Sequence, residues 1–481
     1  MLRTALVLLL LGSPAFSQSQ VDKVIAAAKD PVKLESNLRV LTDEIGGRVP
    51  GTPAMDKAIQ WAVANFKDAG ADSVTVESFP MPLRWAEGDT RITVTAPSHF
   101  NVRAVSMAWT PPYQAASVRF VDVGEGDEAG FAKAKDVAGA MLLVHTHTMK
   151  TWDDLFAEYM RTPAIIDRAV KAKAAGLAVI STRERDLLYR HINTTKIGPL
   201  PMVILAREDG ERVARLVEKG PVTAQFSVPN KVGPGFESAN VIAEIKGSEK
   251  PKEFVILGAH LDSWELGTGA LDNGCDAALV IEALRAIKKS GVQPKRTIKF
   301  VLYSGEEQGM IGSAAWEKKH RAEMDDIVAD VVFDTGTGKI TGYSLGGRKD
   351  VADAVKKLTA PVRELGMQEM TPDAFVGTDN LHLLWQGIPT LVANQKEENY
   401  LENYHASSDT FDKIDFAHLK DHVVIAAATA FAIADADQRL GKRQSVAEVD
   451  ALMKETGLDE QVRVQGLWPQ WEEIKAARSQ R

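Results

Sequence analysis

Four short apolar runs, each followed by a polar loop or turn with acidic or histidine side chains, constrain the fold of this chain more than any other feature. They lie at 254–257, 297–303, 327–333 and 389–393. Such runs are typical of strands that are buried on both faces of a sheet. After the first run and its polar loop, apolar residues recur at helical spacing from Asp276 onward. The repeated order of strand, polar loop and helix predicts an α/β fold.

The polar residues that follow these runs have the donor types that bind zinc. They are His260 and Asp272 after the first run, Glu307 after the second, Asp334 after the third and His405 after the fourth. Ligands of open α/β sheets bind at the carboxyl ends of the strands, so we expect these side chains to meet there. A single histidine in such a position is most often an ordinary loop residue. Five donors at the ends of four strands indicate a metal site.

Five donors can hold two metal ions if one carboxylate is shared. A catalytic zinc ion takes three protein ligands, and paired ions about 3.5–4 Å apart can share an activated water. We therefore predict two Zn²⁺ per chain, bridged by Asp272. Glu306, beside the ligand Glu307, is then the general base. Asp262 is predicted to orient His260 through the second ring nitrogen of that histidine.

The chain of 481 residues begins with a segment typical of a signal peptide. Arg3 precedes an apolar stretch, and the small residues Ala15 and Ser17 precede a predicted cleavage after Ser17. The stretch is shorter than the roughly 20 residues that span a bilayer, so we expect a secreted or periplasmic protein without a membrane anchor. The net charge of −8, without a basic block, argues against nucleic acid as a partner.

Composition divides the chain into segments. Residues 118–228 alternate short strands with helices, and the stretch that follows them is rich in proline and glycine. We predict that 118–228 form a domain inserted into a second one, which consists of residues 18–117 and 229–440. The signal peptide at 1–17 precedes this domain. An amphipathic tail at 441–481 follows it and shows no chemistry of its own.

Three features allow two interpretations each. Arg48 lies in a turn-rich loop, which is either a plain connection or brings Arg48 to the substrate region. His145 and His147 have a spacing that can bind metal, although the absence of clustered carboxylates favours ordinary loop residues. Trp264 either forms a wall of the substrate pocket or packs under its own loop.

These motifs resemble those of the zinc aminopeptidase family with co-catalytic metals. The matching stretches are HLDSW at 260–264, ALDNG at 270–274, SGEEQG at 304–309, the aspartate at 334 and NYHASSDT at 403–410. The resemblance covers roughly residues 25–440. It includes the insert, which is similar to a protease-associated domain in its VAGAMLLV, AKAAGLAVIS and PMVILAREDG stretches. It implies a three-layer, mixed-sheet zinc exopeptidase domain with an inserted α+β domain.

The resemblance also assigns the donors to two metal sites. One set is His260, Asp272 and Asp334, and the other is Asp272, Glu307 and His405. Glu306 matches the general base, and Asp262 matches the carboxylate behind the first histidine. Tyr404 matches a tyrosine that stabilises the tetrahedral oxyanion in several relatives. Asn273 stands where some relatives carry a second aspartate, which leaves the bridge intact.

The implied function is that of a secreted zinc exopeptidase of aminopeptidase or dipeptidase type. It would hydrolyse the terminal bond of dipeptides or short peptides with a metal-bridging water and a glutamate base. Its partner is then a peptide substrate, and a homodimer is compatible with similar proteins. One alternative is a glutaminyl cyclase-like acyl transferase that uses a single zinc, and the insert argues against it. The other is a receptor-like binding module, which the presence of all five ligands disfavours.

Overall fold

The computed structural model describes residues 19–191 and 196–479, which form two eight-stranded sheets and a two-stranded ribbon. The predicted signal peptide at 1–17 lies outside these residues. The first sheet, here called the central sheet, has the following strands in spatial order: Ser73–Met81, Phe236–Ile245, Arg296–Tyr303, Lys250–His260, Ile327–Val332, Thr390–Gln395, Ile340–Ser344 and Glu369–Thr371. Its first two strands run antiparallel to their neighbours, and its four middle strands, from Arg296–Tyr303 to Thr390–Gln395 in spatial order, run parallel to one another, so the sheet is mixed.

The four predicted apolar runs form these middle strands. Lys250–His260 is buried without interruption from Phe254 to His260, as expected for a parallel strand with both faces covered. Ile327–Val332 is buried at every position, including Asp330 in its middle. Because the four strands are parallel, the polar residues that follow them lie at one edge of the central sheet.

Helices cover both faces of the central sheet, which confirms the predicted three-layer α/β architecture. One face packs against Gln20–Ala28, Pro53–Asp68, Cys275–Lys289 and Phe416–Asp435. The other face packs against Ile311–His320 and Leu381–Trp385. Among the described residues, Phe416–Asp435 is the one helix long and apolar enough to cross a membrane, and 72% of its apolar window is buried inside the protein. It is a core helix of the central domain.

The remaining helices lie around these layers. They are Leu34–Arg39, Glu128–Lys133, Trp152–Lys171, Arg207–Val217, Ala352–Leu358, Tyr400–Asn403, Val446–Thr456, Leu458–Val464 and Trp468–Ser479. Short 3₁₀ or π turns occupy Val40–Ile45, Ala270–Gly274, Arg321–Asp326, Lys349–Val351, Ala360–Leu365 and Phe411–Lys413. The tail packs onto the central domain through Trp471, whose ring centroid lies 6.1 Å from that of Trp385.

The second sheet belongs to the predicted insert. Its strands in spatial order are Phe100–Val102, Arg91–Ala96, Thr223–Val228, Tyr113–Asp122, Met141–Val144, Gly176–Ile180, Met202–Leu205 and Ala104–Ser106. Three of these strands precede residue 118, so the second sheet begins before the predicted segment 118–228. Arg91–Ala96 pairs with Thr223–Val228 far downstream, and an alternating strand pattern does not indicate which sheet the strand joins. The two connections to the insert pair with each other as Arg84–Ala86 and Lys231–Gly233.

Candidate active site

The five predicted ligands meet at the carboxyl edge of the central sheet in two groups that share Asp272. The groups are His260, Asp272 and Asp334, and Asp272, Glu307 and His405, with the ligand atoms of each group within 4.8 Å of one another. His260 Nε2 lies 3.2 Å from Asp272 Oδ1 and 3.1 Å from Asp334 Oδ1. His405 Nε2 lies 3.3 Å from Asp272 Oδ2 and 2.7 Å from Glu307 Oε2. Asp272 thus presents one oxygen to each histidine, as a bridging ligand would.

Both histidines have their other ring nitrogen bound to a backbone carbonyl. His260 Nδ1 donates to the carbonyl of Asp262 at 3.0 Å, and His405 Nδ1 donates to the carbonyl of Arg190 at 2.9 Å. A carbonyl can only accept, so each Nδ1 carries a proton. In the neutral imidazole the Nε2 lone pair is then free and faces the carboxylates, which is the tautomer that a metal ligand requires.

The electrostatics of the site favour a divalent cation. Asp272 and Glu307 are each 4% exposed, and Asp272 Oδ2 and Glu307 Oε1 accept no hydrogen bond. Burial raises the pKa of Glu307 to about 7. Although burial lowers the pKa of His405, the carboxylates of Glu307 and Asp272 outweigh it and raise that pKa to about 10. Clustered buried carboxylates are costly unless a positive charge neutralises them, so the donor set fits the predicted zinc ions.

Asp262 supports the site differently from the prediction. Its carboxylate oxygen is 3.7 Å from His260 Nδ1, and its backbone carbonyl is the hydrogen-bond acceptor instead. The two carboxylate oxygens accept the backbone N–H groups of Glu306 and Glu307, each at 3.3 Å. The Asp262 carboxylate therefore holds the loop that carries Glu306, the predicted base, and the ligand Glu307. The expected hydrogen bond between this carboxylate and the imidazole of His260 is not formed.

Glu306 and Tyr404 both face a cleft beside the ligand groups. Burial, together with the neighbouring carboxylates, keeps the pKa of Glu306 well above its usual value. The Tyr404 hydroxyl lies 2.9 Å from the hydroxyl of Tyr159, which belongs to the insert helix Trp152–Lys171. Burial holds the pKa of Tyr404 well above its usual value, so the hydroxyl keeps its proton and can donate a hydrogen bond.

Asp409 is a positioning residue that the sequence interpretation missed. Its carboxylate accepts the backbone N–H groups of Ala270, Leu271 and Asp272 at 3.0, 2.7 and 3.2 Å. These three bonds fix the turn that presents the shared ligand. Asp409 lies in the NYHASSDT motif, four residues after His405, so its place in that motif was the available signal.

We expect Asp409→Asn to lower zinc affinity by about 10–100-fold, as loss of a residue that orients a ligand commonly does. An asparagine has one acceptor oxygen, and its amide group would direct donors at the backbone N–H groups of Ala270 to Asp272. The measurement is zinc retained per chain in competition with a chelator. Asp154→Asn is the matched control, because its carboxylate also accepts two backbone N–H groups, both at 2.9 Å, but at the start of the helix Trp152–Lys171 and outside every group of described residues that could hold a metal ion. Unchanged zinc affinity in Asp409→Asn would contradict the assigned role.

Arg48 does not reach the cleft but holds the loop that leads to Asp272. The side chain is fully buried and donates to the carbonyls of Leu261, Thr268 and Gly269 at 2.6, 2.8 and 2.8 Å. Gly269 has a φ of 62°, and a Cβ at this position would lie 2.3 Å from the side chain of Ser263. The loop therefore closes tightly around the guanidinium, and the alternative in which Arg48 contacts substrate is wrong.

The other undecided residues lie outside the ligand groups. His145 Nε2 pairs with Asp122 at 2.8 Å and His147 Nε2 pairs with Glu125 at 3.0 Å, so each histidine has a carboxylate partner of its own. Trp264 is 4% exposed and packs in a cluster with Trp85 and Trp109. Its ring meets that of His405 edge to face, with centroids 6.2 Å apart. Trp264 thus packs under its loop.

The cleft beside the ligands has a volume of about 560 Å³ and walls from three parts of the chain. The insert helix contributes Trp152, Leu155 and Phe156, and the tail contributes Leu467. The predicted insert and tail therefore both reach the candidate site, and the tail has a place there that its sequence did not indicate.

Charged groups in the cleft are of one sign apart from the ligand histidine. Asp153 and Asp373 line it in addition to the carboxylates of the ligand groups and Glu306. No lysine or arginine lies among its described lining residues. The electrostatic potential in the cleft outside the ligand groups thus attracts a positively charged group.

Part of the chain matches a known family, and related proteins cover most of its length. Residues 240–430 match the model of Peptidase family M28. Carboxypeptidase Q of Rattus norvegicus is 26% identical over 416 residues, which are 84% of this chain and 85% of that protein. Leucine aminopeptidase 1 of Emericella nidulans is 25% identical over 302 residues, which are 58% of this chain and 76% of that protein.

Solved structures share the fold. A Peptidase M28 precursor from Shewanella amazonensis has a TM-score of 0.80 at 24% identity, covering 89% of this chain and 99% of its own. A zinc aminopeptidase from Bacillus subtilis has a TM-score of 0.67 at 18% identity, covering 86% of this chain and 98% of its own. These findings confirm the resemblance inferred from the motifs: residues 240–430 match Peptidase family M28, most of the chain is similar to carboxypeptidase Q, and a zinc aminopeptidase shares the fold.

Proposed function

We propose that this protein is a zinc-dependent exopeptidase that removes the N-terminal residue of dipeptides or short peptides. The observation that carries the proposal is the pair of ligand groups that share Asp272 beside Glu306 in one cleft. His260, Asp272 and Asp334 would hold one zinc ion, and Asp272, Glu307 and His405 would hold the other. The family match and the zinc aminopeptidase of like fold support the same chemistry.

Zinc held by such donors supplies Lewis acidity, which polarises a carbonyl group and lowers the pKa of water to about 7. Glu306 then accepts the proton of the attacking water and returns it to the leaving amine. Burial and the neighbouring carboxylates raise the pKa of Glu306, which makes it a stronger proton acceptor than an ordinary glutamate. The Tyr404 hydroxyl donates a hydrogen bond to the oxyanion that forms at the attacked carbonyl.

The charges of the cleft favour an aminopeptidase over a carboxypeptidase. A carboxypeptidase needs a cation that binds the substrate's terminal carboxylate, and the described lining residues include no lysine or arginine. Asp153 and Asp373 suit the ammonium group of a free N-terminus instead. The apolar side chains Leu155, Phe156 and Leu467 provide the contact surface for an apolar side chain of the substrate.

The walls of the cleft also support a limit on substrate length. The insert helix and the tail both contribute walls to the cleft in addition to the central domain, so they reduce the space that is open to a substrate. A chain end fits such a space, whereas an internal loop of a folded protein needs two exits. The predicted export of the protein by its leader would bring it to extracellular or periplasmic peptides.

A panel of blocked dipeptides tests the proposal. We expect cleavage of a free dipeptide with an apolar N-terminal residue and of its C-terminal amide, but none of its N-acetyl form. A chelator should abolish the activity and added zinc should restore it. Product formation is measured by chromatography at equal protein concentration.

Each other outcome of the panel overturns a stated part of the proposal. Cleavage of the N-acetyl form without cleavage of the amide would show a carboxypeptidase. Cleavage that is insensitive to the chelator would exclude a metallopeptidase. Conversion of peptides with N-terminal glutamine to pyroglutamyl peptides, with one zinc per chain, would favour the cyclase. Absence of any turnover in zinc-loaded protein would favour a binding module.

A further inference from the structure

One ligand of the metal centre is held by the insert and not by the central sheet. The backbone of His405 has a φ of 56°, a left-handed conformation that a residue with a side chain adopts only when its surroundings enforce it. Those surroundings are the segment 188–190, which approaches from the insert. The N–H of Arg190 donates to the carbonyl of His405 at 2.9 Å, and the N–H of Ser407 donates to the carbonyl of Leu188 at 2.9 Å.

The same segment orients the imidazole. His405 Nδ1 donates to the carbonyl of Arg190 at 2.9 Å, which aims Nε2 at Asp272 and Glu307. His260, by contrast, donates to the carbonyl of Asp262, two residues away on its own loop. The two ligand groups therefore differ: one is oriented within the central domain, and the other needs the insert.

The side chain of Arg190 is held in place by several polar contacts. The guanidinium is fully buried, pairs with Glu87 at 2.6 Å, and also binds Glu265 and the carbonyl of Ser106. Glu265 follows Trp264 on the loop after the ligand His260, and Ser106 is in the second sheet. The side chain thus ties the insert to the metal-binding loop, while its backbone carbonyl holds His405.

We propose that Arg190 is a positioning residue through which the insert sets the zinc site of Asp272, Glu307 and His405. The inference rests on the proposed two-zinc centre. In the site of His260, Asp272 and Asp334, the imidazole is oriented by the carbonyl of Asp262 and not by Arg190. Without the Arg190 anchor, the carbonyl that orients His405 loses its fixed place, and one of the two zinc ions binds more weakly.

The test is a zinc titration of the full chain carrying Arg190→Met, in competition with a chromophoric chelator. We expect one zinc per chain to bind as in the wild type and the second to bind about 10–100-fold more weakly. Arg348→Met is the matched control, because Arg348 is also buried and paired, with Asp350 at 2.7 Å, on a loop outside the ligand groups. The Arg348→Met variant should bind both zinc ions with the affinities of the wild type.

Glu265→Gln gives a second route if Arg190→Met does not fold. It removes one charge from the anchor and keeps the arginine, so we expect a smaller loss confined to the same zinc ion. Wild-type affinity of both ions in folded Arg190→Met and in Glu265→Gln would overturn the inference, as would an equal loss at both sites. A wild-type protein that binds a single zinc would instead refute the two-zinc function, so the two failures are distinguishable.

Discussion

Replacement of Glu306 by glutamine is expected to lower turnover by about 10²–10⁴-fold while zinc content per chain stays the same. Glutamine keeps the shape of the side chain but cannot accept the proton of the attacking water. Glu306 belongs to neither ligand group, so its charge is not needed to hold the metal. The measurement combines the turnover of a free dipeptide with elemental analysis of zinc in the same sample.

A matched substitution separates this effect from a general effect on the fold. Glu317 is also buried, at 1% exposure, and accepts a hydrogen bond from Arg321 at 2.8 Å on the helix Ile311–His320 and its continuation. We expect Glu317→Gln to lower thermal stability without lowering turnover of the folded enzyme. If Glu306→Gln lost zinc as completely as a ligand variant does, Glu306 would be a ligand and the assignment of the base would be wrong.

Asp272→Ala is expected to remove both zinc ions and all measurable turnover. Asp272 is the one residue that belongs to both groups, and each of its oxygens faces a different histidine. Asp334→Ala and Glu307→Ala serve as internal controls, since each touches one group and should remove a single ion. The measurement is zinc per chain after dialysis against a weak chelator.

Thermal unfolding provides an independent measurement on the same variants. A ligand that binds only the folded state stabilises it, by about 4 kcal/mol at a free concentration of 1,000 times Kd. Added zinc should therefore raise the unfolding temperature of the wild type and leave that of Asp272→Ala unchanged. Retention of one ion by Asp272→Ala would show that the shared position of this carboxylate is not needed by both sites.

Three of the ligands were accessible to sequence reasoning because they lie at the end of a buried strand or within four residues of it. Parallel strands bring their carboxyl ends together, so the order of apolar run and polar residue was enough to group His260, Glu307 and Asp334. The bridge was accessible from the number of donors, since five ligands for two ions require one to be shared. The α/β class of the central domain followed from the same runs, whereas its three-layer, mixed-sheet form was implied by the resemblance to the zinc aminopeptidase family.

The contacts that hold the ligands and their loops in place could not be predicted from the sequence, because most of them involve backbone groups. Arg48 and Asp409 bind main-chain groups, which every residue possesses, so no residue type at the other end marks the contact. The same holds for the carbonyl of Arg190 behind His405. The strands that join the second sheet from before residue 118 were not predicted for a related reason: strand pairing over long distances along the chain leaves little trace in a single sequence.

Different parts of the chain supply the proposed metal ligands and the outer walls of the cleft. The donor atoms lie at the carboxyl edge of the central sheet, whereas Phe156 comes from the insert helix Trp152–Lys171 and Leu467 comes from the tail, between two of its helices. Substitutions at these outer positions can alter the fit of a substrate without moving any zinc ligand. Selectivity in such proteins can therefore diverge quickly while the hydrolytic apparatus stays constant.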